Sequence, residues 1–179
     1  MKTIKLLSLS LVATLLFSAC SDDDDAPVVI NEEEEITTVN VILTPENGDE
    51  LTFTYRDLDG GATAPEVDPI VLQANTTYTG RLEFLNENEE PVENKTTEIQ
   101  EEDEDHQVFF IVENGLNAAT EYLDFDGNND PLGTEFSLVT REASTGNLTF
   151  LLIHEGDKST PEADGETDIE AVFENVTIE

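Results

Sequence analysis

Only two histidines occur in this chain, His106 and His154, against 42 aspartates and glutamates. An imidazole nitrogen beside a carboxylate oxygen is a donor set for zinc, copper or iron. His106 closes the acidic run Glu101-Glu102-Asp103-Glu104-Asp105 and opens the apolar run Gln107-Val108-Phe109-Phe110. If the acidic run is helical, Glu102 lies one turn before His106 on the same face. His154 ends an apolar stretch, on the alternating face of Leu148, Phe150 and Leu152. A shared site for a divalent metal ion, built from His106, His154 and Glu102, is therefore one expectation. Two imidazoles unrelated in space is the plainer one, because sequence gives no distance between them.

A second constellation is rich in oxygen. Asp124, Asp126, Asn128, Asp130 and Glu135 fall at positions 1, 3, 5, 7 and 12 of a calcium loop, where carboxylates and carbonyls must converge on a hard cation. Position 6 should be glycine and is Asn129. The same residues also satisfy a hairpin turn for backbone reasons, and the turn is the favoured reading. Asp57-Leu58-Asp59-Gly60 is a shorter version of the pattern. For catalysis the chain offers no GxSxG, no P-loop and no HExxH, since His154-Glu155 lacks the second histidine. It is expected not to be an enzyme.

The third chemical residue is Cys20, the single cysteine. Lys2 and Lys5 precede an apolar run from Leu6 to Phe17, and Ser18-Ala19 supplies small residues before the cysteine. As a helix the run would span roughly 18 Å, well short of a hydrocarbon core of ~30 Å, so it reads as an export signal and not as a permanent span. Small residues followed by cysteine form a lipobox, with Phe17 where leucine is usual. Cleavage would leave Cys20 as the first mature residue, acylated by chains such as palmitate. Several chains, at about 0.8 kcal/mol per buried methylene, hold a protein in a membrane. A lipidated Cys20 leaves no thiol for a disulfide, cluster or nucleophile.

Charge narrows the partners further. The formal net charge is −35, and removal of residues 1–19 with Lys2 and Lys5 makes it more negative still. Such a field repels nucleic acid and excludes it as a partner. Salt-rich surroundings or bound cations would relieve the self-repulsion. Residues 20–35, with acidic runs around Pro27-Val28-Val29-Ile30, are too polar to pack and read as a tether.

From Ile36 to Glu179 the hydrophobic period is two. Ile36 to Thr44 and Glu50 to Arg56 flank Asn47-Gly48, a strong hairpin signal. Further strands are expected over 69–73, 76–85, 107–112, 120–125, 134–141, 147–154 and 167–178, with Glu113-Asn114-Gly115 a second hairpin signal ahead of the strand at 120–125. Gln107 to Val112 reads as a central strand covered on both faces. In the last strand Ile169, Ala171 and Phe173 alternate against Asp168, Glu170 and Val172. A capping box at Thr97-Glu98-Ile99-Gln100 marks one short acidic helix from about Thr96. The expected fold is all-β, an antiparallel sandwich of about eight strands, Ig-like or partly closed into a barrel.

Resemblance adds a setting. An acidic run directly after the lipobox cysteine resembles the surface-export signal of Bacteroidota lipoproteins, which implies an outward-facing place on the outer membrane. Through FTYRDLDG (53–60), LQANTTYTGRLEFLNE (72–87), EEDEDHQVFF (101–110) and GETDIE (165–170), the chain resembles small acidic flavobacterial lipoproteins labelled "type I periplasmic binding fold superfamily protein". That label implies a two-lobed α/β receptor, whereas the alternation here implies a sandwich. The resemblance also implies an origin beside TonB-dependent outer-membrane receptors, hence a ligand- or metal-binding accessory to such a transporter. A structural or adhesive surface module is the alternative.

Overall fold

Alternation with a period of two governs nearly everything seen in the computed structural model, which describes residues 35–161 and 163–179. The expected signal segment, the lipidated Cys20 and the tether up to residue 34 lie outside the described residues. The strands are β1 (Thr38–Pro45), β2 (Leu51–Arg56), β3 (Glu66–Val67), β4 (Val71–Leu72), β5 (Thr77–Asn86) and β6 (Glu93–Asn94). After helix α1 (Thr96–Glu101) come β7 (His106–Glu113), β8 (Ala118–Tyr122), β9 (Glu135–Thr140), β10 (Ser144–His154) and β11 (Glu166–Ile178).

These form two sheets. One runs β3-β2-β1-β5-β9-β8 with β6 beside β5, and the other runs β4-β11-β10-β7. The expected all-β sandwich is therefore found, with more strands than the expected eight and no closed barrel among the described residues. Among the described residues all strand pairings are antiparallel except β4 with β11. The two-lobed α/β receptor implied by the family label is not the fold.

The sheets meet on the apolar half of each alternation. Val39, Val41 and Leu43 of β1 face inward and are fully buried. Opposite them Leu148, Phe150 and Leu152 of β10 pack with Ile169, Ala171 and Phe173 of β11. Phe150 stands edge-on to Phe110 at 5.9 Å and to Phe173 at 6.0 Å between ring centroids, and lies 5.6 Å from Phe136. Each such ring removed from water stabilises the fold by about 1.5–3 kcal/mol relative to exposure. Gly80 makes room for this cluster. A Cβ there would stand 2.3 Å from the Phe136 ring, so a side chain would displace the aromatic core.

Three expectations are corrected. Gln107 to Val112 belongs to β7, an edge strand of the four-stranded sheet and not its centre. Its start is nonetheless buried, with Val108 N–H donating to Leu132 O at 2.7 Å and Tyr122 Oη donating to Val108 O at 2.9 Å, while Phe109 to Val112 are half-buried. Asn114-Gly115 makes its turn, with both residues at positive φ, but carries the chain between sheets and not through a hairpin. The capping box does not form. Helix α1 begins after Lys95 with no side-chain cap, and Gln100 donates to Thr134 Oγ1 at 2.9 Å.

Candidate metal centre

The two histidines are brought face to face by the register of the four-stranded sheet. His106 is the first residue of β7 and His154 the last of β10, and they are direct cross-strand partners. Partners in an antiparallel pair project to the same side, here the side of Val108 and Leu152. The rings stack, with centroids 4.5 Å apart and planes 17° from parallel.

The third group comes from β11. Leu152 pairs with Ile169 while Ile153 pairs with Thr167, so Asp168 is the extra residue of a β-bulge. A bulge re-aims the side chain it carries. The Asp168 carboxylate turns onto both imidazoles, Oδ2 lying 3.8 Å from His106 Nε2 and Oδ1 4.0 Å from His154 Nδ1. Its side chain is 0 % exposed, as is that of His106, and His154 retains 10 %. One ligand atom from each of the three lies within 4.8 Å of the others. Tetrahedral zinc with bonds of about 2.0–2.2 Å separates its ligands by roughly 3.4 Å, so a modest inward movement would let the three groups fill three of the four positions around such an ion.

The protonation pattern suits a cation. His106 Nδ1 stands 3.1 Å from the Glu102 backbone oxygen, which can only accept, so Nδ1 carries the proton. The Nε2 lone pair is then directed at the Asp168 side, the arrangement by which a ligating histidine is usually oriented from behind. Burial pushes the His106 imidazolium pKa below its ordinary value, with the Glu102 carbonyl opposing and His154 adding to the shift. A neutral imidazole is the form that binds metal. Two imidazole nitrogens and one carboxylate oxygen favour zinc, copper or iron over calcium and magnesium, which prefer all-oxygen shells.

Glu102 plays a different part from the expected one. Helix α1 ends at Glu101, and Glu102 sits at its C-cap with φ −106° and ψ 39°. Its carbonyl therefore reaches His106, while the residue as a whole is exposed. Asp168 escaped sequence reasoning because strict alternation assigns it to the solvent face. Only the bulge brings it in.

The oxygen-rich turn is organised otherwise. Asp124 accepts from Gly133 N–H at 2.8 Å and Thr134 Oγ1 at 2.6 Å. Asp126 Oδ1 accepts from the N–H groups of Asn128 and Asp130, both at 2.9 Å, and Oδ2 accepts from Lys158 Nζ at 3.0 Å. Burial works to raise the Asp126 pKa, but the Asp130 N–H and Lys158 outweigh it and hold the carboxyl below its usual range. Asn129 adopts φ 70°, a turn conformation, and Glu135 is an exposed residue of β9. Asp57 and Asp59 likewise accept from their own loop, at Asp59, Gly61 and Thr63. Among the described residues, the group whose ligand atoms lie close enough together that they could hold a metal ion is His106, His154 and Asp168.

Surface recesses lie apart from it. A cleft of about 650 Å³ runs between Tyr55, Val67 and Val172, rimmed by Glu170 and Glu174. A space of about 10 Å³, room for one water, lies beside Gln107 and Lys158. Neither is lined by any of the three candidate ligands. No family model matches this chain, and no curated protein or solved structure does either.

Proposed function

We propose that this chain is an envelope lipoprotein, anchored in the outer membrane through acylated Cys20, whose β-sandwich binds one divalent transition-metal ion. In this reading it serves as a ligand-binding accessory beside a TonB-dependent transporter and performs no catalysis. The observation that supports it is the convergence of His106, His154 and Asp168 from three strands onto one ion-sized gap. The lipobox, the acidic tether and the flavobacterial resemblance support the location. Burial of the ligands favours holding an ion over turning over a substrate, because a substrate would have to reach the position that three protein ligands leave open.

Metal titration of the full chain in detergent tests the reading. One equivalent of zinc, copper or iron(II) is expected to bind in preference to calcium. Asp168→Asn, which keeps the side chain's shape, is expected to weaken zinc at least about tenfold, as loss of a ligand does. Retention of full affinity when both His106→Ala and His154→Ala are present would contradict it. Incorporation of labelled palmitate into the wild type but not into Cys20→Ala tests the anchor separately.

A further inference from the structure

We infer that the ion held by His106, His154 and Asp168 is a resident part of the fold, a staple across three strands, and neither cargo nor catalyst. The inference rests on the metal-binding reading and says what that ion does. The ligands belong to the paired ends of β7 and β10 and to the bulge of β11. An ion there ties the three strands together where the bulge interrupts their ladder. The His106 and Asp168 side chains are fully covered, and His154 shows only an edge.

The backbone around the site is fastened as well. Glu155 N–H donates to Asp105 O at 2.8 Å, linking the residue after His154 to the residue before His106. Gly165 packs so closely against the His154 carbonyl that a Cβ would stand 2.5 Å from it. From the chain beyond β10, Lys158 Nζ donates to Asp103 O and to Asp126 Oδ2. The Lys158 side chain is 8 % exposed and that of Asp126 is 1 % exposed. Exit of the ion therefore requires these fastenings to open, a local or global unfolding step and not a side-chain rotation. A transported compound would have to bind elsewhere on the surface.

Isotope exchange decides the matter. The full chain, refolded with natural zinc, is challenged with excess zinc-67 and followed by native mass spectrometry, while circular dichroism monitors the fold. Exchange is expected over hours, at a rate close to unfolding measured on the same sample. Lys158→Ala, which touches no ligand, is expected to speed exchange at least about tenfold, because it breaks a buried pair that must open first. Complete exchange within seconds in a chain that stays folded would overturn the inference while leaving the metal site standing. An unchanged exchange rate in a folded Lys158→Ala variant would remove the fastening from the account and overturn it too. Absence of any zinc binding would remove the site itself, and the inference with it.

Discussion

The stretch from Asp124 to Glu135 and the His106–His154–Asp168 cluster differ in where their charges find partners. The turn gathers carboxylates close in sequence, and those of Asp124 and Asp126 are answered by N–H groups of their own loop, by Thr134 and by the ammonium of Lys158. The cluster gathers groups from positions far apart in the chain, and its two imidazoles and carboxylate stand 3.8 Å and 4.0 Å apart, beyond hydrogen-bond range of one another. A cation is already supplied to the first arrangement by the chain. The second brings two imidazoles and a carboxylate close enough together to share a metal ion. Density of acidic residues is thus a poor guide to metal binding in a chain of net charge −35, where most such residues only serve turns or face water.

The contrast can be broken most forcefully at the cluster. With zinc at about a thousand times its dissociation constant, binding to the native state alone contributes about 4 kcal/mol. Thermal unfolding with and without zinc should show that gain in the wild type and its loss in Asp168→Asn. Persistence of the gain in that variant would place the ion elsewhere. At the turn, Lys158→Ala removes the ammonium from the Asp126 carboxylate, which keeps its bonds from the Asn128 and Asp130 N–H groups, and is expected to destabilise the fold by about 1–3 kcal/mol in denaturant unfolding, whether or not zinc is present. Asp124→Ala removes the acceptor for Gly133 N–H and Thr134 Oγ1. It should cost about 1–3 kcal/mol and leave zinc affinity unchanged. A calcium-dependent melting temperature that vanishes with Asp124→Ala would instead make the turn a cation site.

The smallest effect lies away from both regions and calibrates them. Glu87 accepts from Arg56 Nε at 3.0 Å and Nη2 at 2.7 Å, and this pairing, with the Thr38 hydroxyl, holds its carboxyl below the ordinary range. A carboxyl depressed in the folded state stabilises above its unfolded pKa, and that contribution disappears as pH falls through the folded pKa. Glu87 keeps 24 % of its side chain in water, so the contribution is about 1 kcal/mol or less. Urea unfolding of Glu87→Gln against wild type should show a difference near neutrality that closes in acid. A difference that widens in acid would reverse the sign.

Much of this architecture was legible in the residues. The β1–β2 hairpin, the buried faces of β5 and β10, and His154 on the face of Leu152 all follow from period-two alternation and turn chemistry. Burial of Gln107 and Val108 was legible, but the edge position of the strand and the half-burial of Phe109 to Val112 were not, because cover supplied by Leu132 and Tyr122 looks in sequence like cover from a neighbouring strand. The His106–His154 pairing depends on register between strands separated by two sheet crossings, which no local signal encodes. Asp168 was hidden for a sharper reason. A bulge adds one residue and inverts the facing of what it carries, so the rule that correctly orients Ile169, Ala171 and Phe173 misplaces the carboxylate beside them. Glu102 was expected on a helical face shared with His106, but α1 stops at Glu101 and His106 opens β7, so the Glu102 carbonyl and not its side chain reaches the imidazole.

Zinc K-edge X-ray absorption on the full chain loaded with one equivalent reads the ligands of the ion themselves. The account predicts a shell of two imidazole nitrogens and carboxylate oxygen at about 2.0–2.2 Å, with the multiple scattering of histidine rings, changed in Asp168→Asn. A shell of oxygen alone, unaltered by that substitution and lost in Asp124→Ala, would move the ion to the acidic turn and contradict it.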